Sequence, residues 1–145
     1  MTLEILKIKE ELRNLIDNYA YLSDEWKISE VMDLFTPDVT YKVYMNGTVV
    51  ADVSGRENME RDFNLHASQV KTYFTLNGQQ TVKIDNESAT GVSFTQIKMI
   101  READGKEVLT DYSVKYEDYY VNLNGKWLIK DRVAHCLIIE SRTIS

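Results

Sequence analysis

Apolar residues recur every three to four positions near the start of the chain, at Ile5, Ile8, Leu12, Leu15, Ile16, Tyr19 and Leu22. That period puts them on one stripe of a helix and leaves Lys7, Glu10, Glu11, Arg13 and Asp17 facing solvent. Ser23-Asp24 interrupts the stripe, which resumes at Ile28, Val31, Met32 and Phe35. Ser and Asp are good N-cap residues, so the pattern predicts a helix, a corner and a second helix. Pro37 ends the second helix, because the residue before a proline is pushed out of helical geometry.

From Val39 the period changes to two. Val39, Tyr41 and Val43 share one strand face, Asn46-Gly47 supplies a tight hairpin turn, and Thr48 to Val53 returns. Ser54-Gly55-Arg56-Glu57 has the spacing of a capping box and predicts a short third helix over residues 55–68, anchored by Met59 and Phe63. The remainder reads as long antiparallel strands near 72–84, 88–101, 107–121 and 126–140. Their joints are Asp85-Asn86-Glu87, Asp104-Gly105 and Asn124-Gly125. Asn77-Gly78 falls inside a strand pattern and is read as a bulge. Strands of roughly 14 residues exceed the usual 5–6 and must twist and curl, with the helices covering the inner face.

Composition narrows the function classes. The chain has 145 residues, 43% of them hydrophobic, enough for one domain over 1–145 with a core that needs no disulfide or metal. Seventeen basic against 23 acidic residues give a net charge of −6; without a basic cluster, nucleic acid is not an expected partner. One cysteine and two histidines argue against a Cys/His zinc site. There is no apolar run of membrane-spanning length and no signal-peptide pattern, so a soluble cytoplasmic protein is expected. No glycine-rich phosphate loop and no Ser-His-Asp order occurs, which speaks against phosphoryl and acyl transfer.

Several short segments carry a resemblance. Tyr19 and Asp24 stand at the first corner, and Leu34-Phe35-Thr36-Pro37-Asp38 precedes the first strand. Ser54-Gly55-Arg56-Glu57 opens the third helix, and Gly78-Gln79 is followed by the run from Val82 to Gly91. Tyr116-Glu117-Asp118, Asn124-Gly125-Lys126-Trp127-Leu128-Ile129 and Arg132 complete the set. Their order resembles the nuclear transport factor 2-like cone fold, and within it the SnoaL-like branch of scytalone dehydratase, polyketide cyclases and lindane dehydrochlorinase. The resemblance implies an α+β fold in which a cone-shaped, curved antiparallel or mixed sheet and three N-terminal helices enclose a mostly apolar pocket. It implies chemistry without metal or organic cofactor, in which an aspartate at the first corner works with histidine on the sheet during an elimination. Asp24 matches that aspartate. The family histidine falls on Thr75, and the second dehydratase histidine falls at about Ser93. Hydroxyls of threonine and serine are poor proton shuttles near neutral pH, where imidazole titrates.

The residues themselves leave alternatives open. Asp24 is either a pocket carboxylate that exchanges protons or the N-cap of the second helix. His135, on the last strand, shares by alternation the side of Trp127, Ile129 and Val133; it is either a replacement imidazole or a hydrogen-bonded histidine near a subunit contact. His66 is a helix residue that reaches the pocket mouth if that helix acts as a lid. Tyr112, Tyr116 and Tyr120 share one strand face, and with Tyr19 and Tyr41 they suit a planar ligand as well as ordinary sheet packing. Arg132 either binds an anionic ligand group or forms an ion pair. Cys136 has no nucleophile motif around it and reads as a small buried residue.

Two functions follow. One is a cofactor-free lyase or isomerase acting on an apolar or aromatic cyclic compound, with Asp24 and His135 catalytic and Tyr19, Tyr41, Thr75, Ser93, Tyr116 and Arg132 lining the ligand. The other is a non-catalytic binding or association module on the same fold. Either would form a homo-oligomer, a dimer first and a trimer second, through an outer sheet face expected to include Tyr119, Val121 or the 97–100 stretch, where Ile97, Met99 and Ile100 crowd together.

Overall fold

The computed structural model describes residues 2–144; Met1 and Ser145, the ends of the expected 1–145 domain, lie outside the described residues. Helix α1 spans Leu3–Asp24, with the Thr2 hydroxyl accepting from the Ile5 amide at 3.2 Å. It buries Leu12, Leu15 and Ile16 from the expected stripe, and Ala20 beside them. Its C-terminus closes with Lys27 N–H donating to Leu22 O and Trp26 N–H to Ser23 O, the paired bonds of a Schellman motif. That motif needs a left-handed residue, and Trp26 supplies it at φ 57°, a costly position for a bulky side chain.

Helix α2 is short, Ile28–Met32, and its N-cap is Lys27, not Asp24. The second helix therefore ends earlier than its apolar stripe suggests, because Phe35 already pairs with Ile129 at the start of strand β1, Phe35–Met45. Strand β2 is Thr48–Ser54, after a turn in which Asn46 and Gly47 both have positive φ. Helix α3, Arg56–Ala67, forms where the third helix is expected, but without a capping box. Gly55 is its N-cap at φ 88°, with no side-chain cap bond.

The meander follows as β3 (Thr72–Asp85), β4 (Ser88–Ala103), β5 (Lys106–Leu123) and β6 (Lys126–Thr143). The sheet order is β2-β1-β6-β5-β4-β3, antiparallel throughout except for the parallel β1–β6 pair. That one parallel pair makes the sheet mixed, and the helices cover one of its faces.

Bulges decide which side chains enter the cone. Register shifts between Asn77 and Gln80 on β3, as expected for Asn77-Gly78. On β6, Tyr119 pairs with Asp131 but Tyr120 with Ile129, and Ser113 pairs with Ile138 but Val114 with Cys136. Lys130 and Leu137 are the extra residues, and each reverses the alternation. Trp127 and Ile129 point inward, then Arg132, Ala134 and Cys136 do. His135 consequently does not share the side of Trp127 and Ile129, contrary to simple alternation. Strand β4 also departs from expectation: Ile97 and Met99 line the interior, while the outer face exposes Phe74, Leu76, Phe94, Tyr119 and Ile138.

One glycine is set by packing. A Cβ at Gly91 would stand 2.8 Å from Cε2 of the fully buried Tyr120 ring. Overpacking of this kind costs about 1–3 kcal/mol, so Gly91→Ala is expected to lower the denaturation midpoint correspondingly. In the double variant with Tyr120→Leu, the cost should fall below the sum of the single costs, since the clash partner is gone.

Candidate functional site

The cone encloses a cavity of about 380 Å³, within the usual range for small-molecule sites. Its depth is aromatic. Tyr19 from α1 meets Phe63 of α3 edge-on at 6.3 Å and Tyr116 of β5 at 6.2 Å, and Tyr41 of β1 meets Phe63 at 5.2 Å. The Tyr19 and Tyr41 hydroxyls lie 3.4 Å apart. Burial pushes Tyr19, Tyr41 and Tyr116 above the ordinary phenol range, so these phenols stay protonated and act as neutral donors.

Beneath this layer Arg132 is fully buried and sandwiched. Its guanidinium carbon sits 4.2 Å from the Tyr19 ring centre and 3.5 Å from that of Tyr116. Its Nε lies 3.3 Å from Asp118 Oδ1, but without hydrogen-bond alignment, and Arg132 Nη1 has no partner either. The other Asp118 oxygen accepts from Tyr120 at 2.8 Å, and Gln80 Nε2 donates both to Tyr120 Oη at 3.2 Å and to Leu12 O at 3.3 Å. Burial pushes the Asp118 carboxyl up against the opposing pull of Arg132. Burial also penalises Arg132, but Asp118 and the neighbouring phenols hold it charged. Arg132 therefore forms the buried ion pair of the two readings and does not itself line the cavity. Ser93, buried on the inner face opposite Tyr116, does not line it either.

Asp24 faces the cavity. Thr75 donates to it twice, from its amide to Oδ2 at 2.7 Å and from its hydroxyl to Oδ1 at 2.7 Å. The capping reading of Asp24 is overturned: the Trp26 turn redirects the chain, and the carboxylate reaches across to β3. Each oxygen retains acceptor capacity after these bonds. Beside it, Ser23 lines the cavity with a buried hydroxyl that has no partner.

Of the two histidines, His66 meets the cavity and His135 does not. His135 lies outside the cavity, stacked on Tyr44 at 5.3 Å with Nε2 2.6 Å from Glu117. His66 lines the mouth. Its Nδ1 is 3.0 Å from Tyr73 Oη, and its Nε2 is 3.1 Å from Nη2 of Arg101. Burial and then Arg101 hold His66 below its ordinary value, against a smaller opposing effect of Asp62. Burial pushes Tyr73 up to about 12. Tyr73 and Arg101 carry no motif that marks them in the sequence, and Ser23 reads there only as part of a helix corner. Tyr73 was within reach, being two residues before Thr75 and hence on the same strand face. Cys136 lines the cavity as a thiol whose pKa is raised by burial. Among the described residues, no group of three His, Cys, Asp or Glu side chains is placed to hold a metal ion, and no helix is long and apolar enough to cross a membrane.

Comparison with known proteins accords with this architecture. The model of the SnoaL-like domain matches residues 4–133, and the chain belongs to that family. A candidate scytalone dehydratase from Novosphingobium aromaticivorans is 16% identical with a TM-score of 0.84, over 100% of this chain and 94% of that one. A hexachlorocyclohexane dehydrochlorinase from Novosphingobium barchaimii is 10% identical with a TM-score of 0.81, over 97% and 93%. An NTF2-like protein with a cystatin-like fold, also from N. aromaticivorans, is 20% identical with a TM-score of 0.73, over 93% and 85%. A search of curated proteins gives no match. At these identities the solved structures establish the fold, which is NTF2-like.

Removing one member of a buried ion pair typically costs about 3–5 kcal/mol, whereas replacing both with apolar groups is close to neutral. Arg132→Met is therefore expected to destabilise on that scale in denaturant titrations. The double variant with Asp118→Leu should recover much of the loss.

Proposed function

We propose that this member of the SnoaL-like family is a cofactor-free lyase or isomerase acting on an apolar or aromatic cyclic compound, with Asp24 as its base. The observation that carries the reading is the Asp24 carboxylate, clamped by both donors of Thr75 at the wall of an aromatic cavity. A base held in one geometry loses little entropy when it meets a carbon acid. Tyr19 and Tyr41, kept protonated by burial, supply hydroxyls deeper in the same space. In this reading Asp24 takes a proton from a carbon next to a carbonyl, and charge moves to the carbonyl oxygen. The paired phenols donate to that oxygen as it becomes negative. The likeness to a candidate dehydratase and a dehydrochlorinase supports an elimination as the class of reaction.

The test is exchange of α-protons of cyclic ketones in heavy water, followed by NMR. General-base catalysis is worth about 10²–10⁴-fold, so Asp24→Asn should lower exchange by that range. Stability should change by only about 0.5–1.5 kcal/mol, the worth of one altered hydrogen bond. Ligand binding without exchange in the unaltered protein would instead favour a non-catalytic binding module.

The same reading includes self-association. Phe74, Leu76, Phe94 and Ile138 expose apolar surface on the outer face, and contiguous apolar surface marks a contact site. Light scattering at micromolar concentration is expected to give the mass of a dimer; a monomer mass would count against it.

A further inference from the structure

The mouth of the cavity holds a second set of proton-handling groups that the role of Asp24 leaves unused. Tyr73 and Thr75 occupy one face of β3, about 7 Å apart at their α-carbons by strand geometry, and both line the cavity. Across from them α3 brings His66, and the neighbouring strand β4 brings Arg101, two residues beyond the partner of Tyr73, Met99. The Arg101 guanidinium is fixed on three sides: Nη1 donates to Tyr112 Oη at 3.4 Å, and Nη2 donates to His66 Nε2 at 3.1 Å and to Met99 Sδ at 3.7 Å.

Arginine has donors only, so Nε2 of His66 must be its acceptor. A neutral imidazole whose Nε2 accepts carries its proton on Nδ1. That proton points at Tyr73 Oη, 3.0 Å away. The Tyr73 oxygen thus accepts from His66, and its own hydroxyl proton is left to be donated elsewhere. Tyr73 faces the cavity, with the Trp26 ring 5.7 Å behind it.

We propose that Tyr73 is the general acid that protonates a leaving oxygen, and that His66 and Arg101 are the positioning residues that aim and stabilise it. The proposal rests on the reading of Asp24 as the base of an elimination. Asp24 removes the proton from the carbon next to the carbonyl, the C–H electron pair passes to the carbonyl oxygen as an enolate, and its return from that oxygen forms the C=C bond as the C–O bond breaks. The departing oxygen takes the Tyr73 proton and leaves as water. The resulting phenolate is held by the Nδ1–H of His66 and by the nearby Arg101 charge. The proton on Asp24 then returns to Tyr73 through water admitted as product leaves, which restores both groups. The charged and titratable groups around His66 are Arg101 from β4, Tyr73 from β3 and Asp62 from its own helix.

A leaving group that needs no proton separates the two roles. Matched probes are 3-hydroxycyclohexanone and 3-chlorocyclohexanone, both of which give the same ultraviolet-absorbing enone. Tyr73→Phe should lower the ratio of hydroxy-ketone to chloro-ketone turnover by about 10²-fold or more, the worth of a general acid. His66→Leu should move that ratio in the same direction. His66→Asn should restore part of it, because the Asn amide can replace the Nδ1 donor. Asp24→Asn should lower both turnovers together. Nitrogen-15 NMR of the unaltered protein should show the Nδ1–H tautomer of His66, and Arg101→Met should loosen that preference.

An unchanged ratio in Tyr73→Phe, or an Nε2–H tautomer of His66, overturns this proposal and leaves the role of Asp24 standing. Undiminished turnover in Asp24→Asn, or no turnover of either probe by the unaltered protein, overturns the elimination reading and this proposal with it.

Discussion

Everything inside the cone is organised around one buried cation. Arg132 is 1% exposed and Asp118 5%, and taking two such charges out of water costs several kcal/mol apiece before their attraction is counted. The pair is not an ideal fork, since Arg132 Nε faces Asp118 Oδ1 without hydrogen-bond alignment. The deficit is offset by the faces of Tyr19 and Tyr116, whose ring quadrupoles attract a desolvated guanidinium. That solution fixes geometry as well as charge. Tyr19 belongs to α1 and Tyr116 to β5, so the cation ties the first helix to the middle of the sheet. Through Asp118, Tyr120 and Gln80 the tie continues to Leu12 O on the same helix.

The cavity exists because of what stands above that tie. The bulge at Lys130 rotates β6 so that Arg132, Ala134 and Cys136 enter the cone. Ala134 and Cys136 are small, and they face β5 where Tyr116 and Val114 are large. Packed interiors leave few voids unless small side chains stand where large ones would fit, so this stretch of β6 opens the space that the aromatic rings frame. Gly91 plays the complementary part lower down, where the missing side chain admits the Tyr120 ring. Solid packing at the apex and open space above it thus come from residue sizes on neighbouring strands.

The architecture was legible in the sequence because it rests on period and turn chemistry. The stripe from Ile8 to Leu22, the Asn46-Gly47 turn and the Asn77-Gly78 bulge all stand where local pattern puts them. Misreadings arose where one residue changed the geometry. Alternation counts every residue equally, so an extra Lys130 sent His135 to the wrong face. Ser23-Asp24 has cap chemistry, but a left-handed Trp26 turns the chain after Asp24, and no local rule puts tryptophan there. Asp24 and Thr75 could be paired only by resemblance, since 51 positions separate them. The His66–Arg101 contact spans 35 positions and carries no local signal at all.

The placement of polar groups also has a chemical logic. An elimination removes a proton at one carbon and supports departure of a group from the next, so the two proton transfers occur at different points in space. Where one histidine beside the aspartate serves both, it must exchange its proton between them. Thr75 cannot do so, because its hydroxyl does not ionise near neutral pH; its two short donations hold Asp24 as an acceptor. A chain with threonine at that position needs its second proton-transfer group on another wall. The only cavity-lining imidazole among the described residues is His66, on the helix that covers the mouth. Burial and Arg101 keep that imidazole neutral, which leaves it a donor to Tyr73 in place of a base competing with Asp24. In the proposed elimination the work is therefore divided between the corner of α1, which holds the base, and the His66 end of α3, which aims the acid.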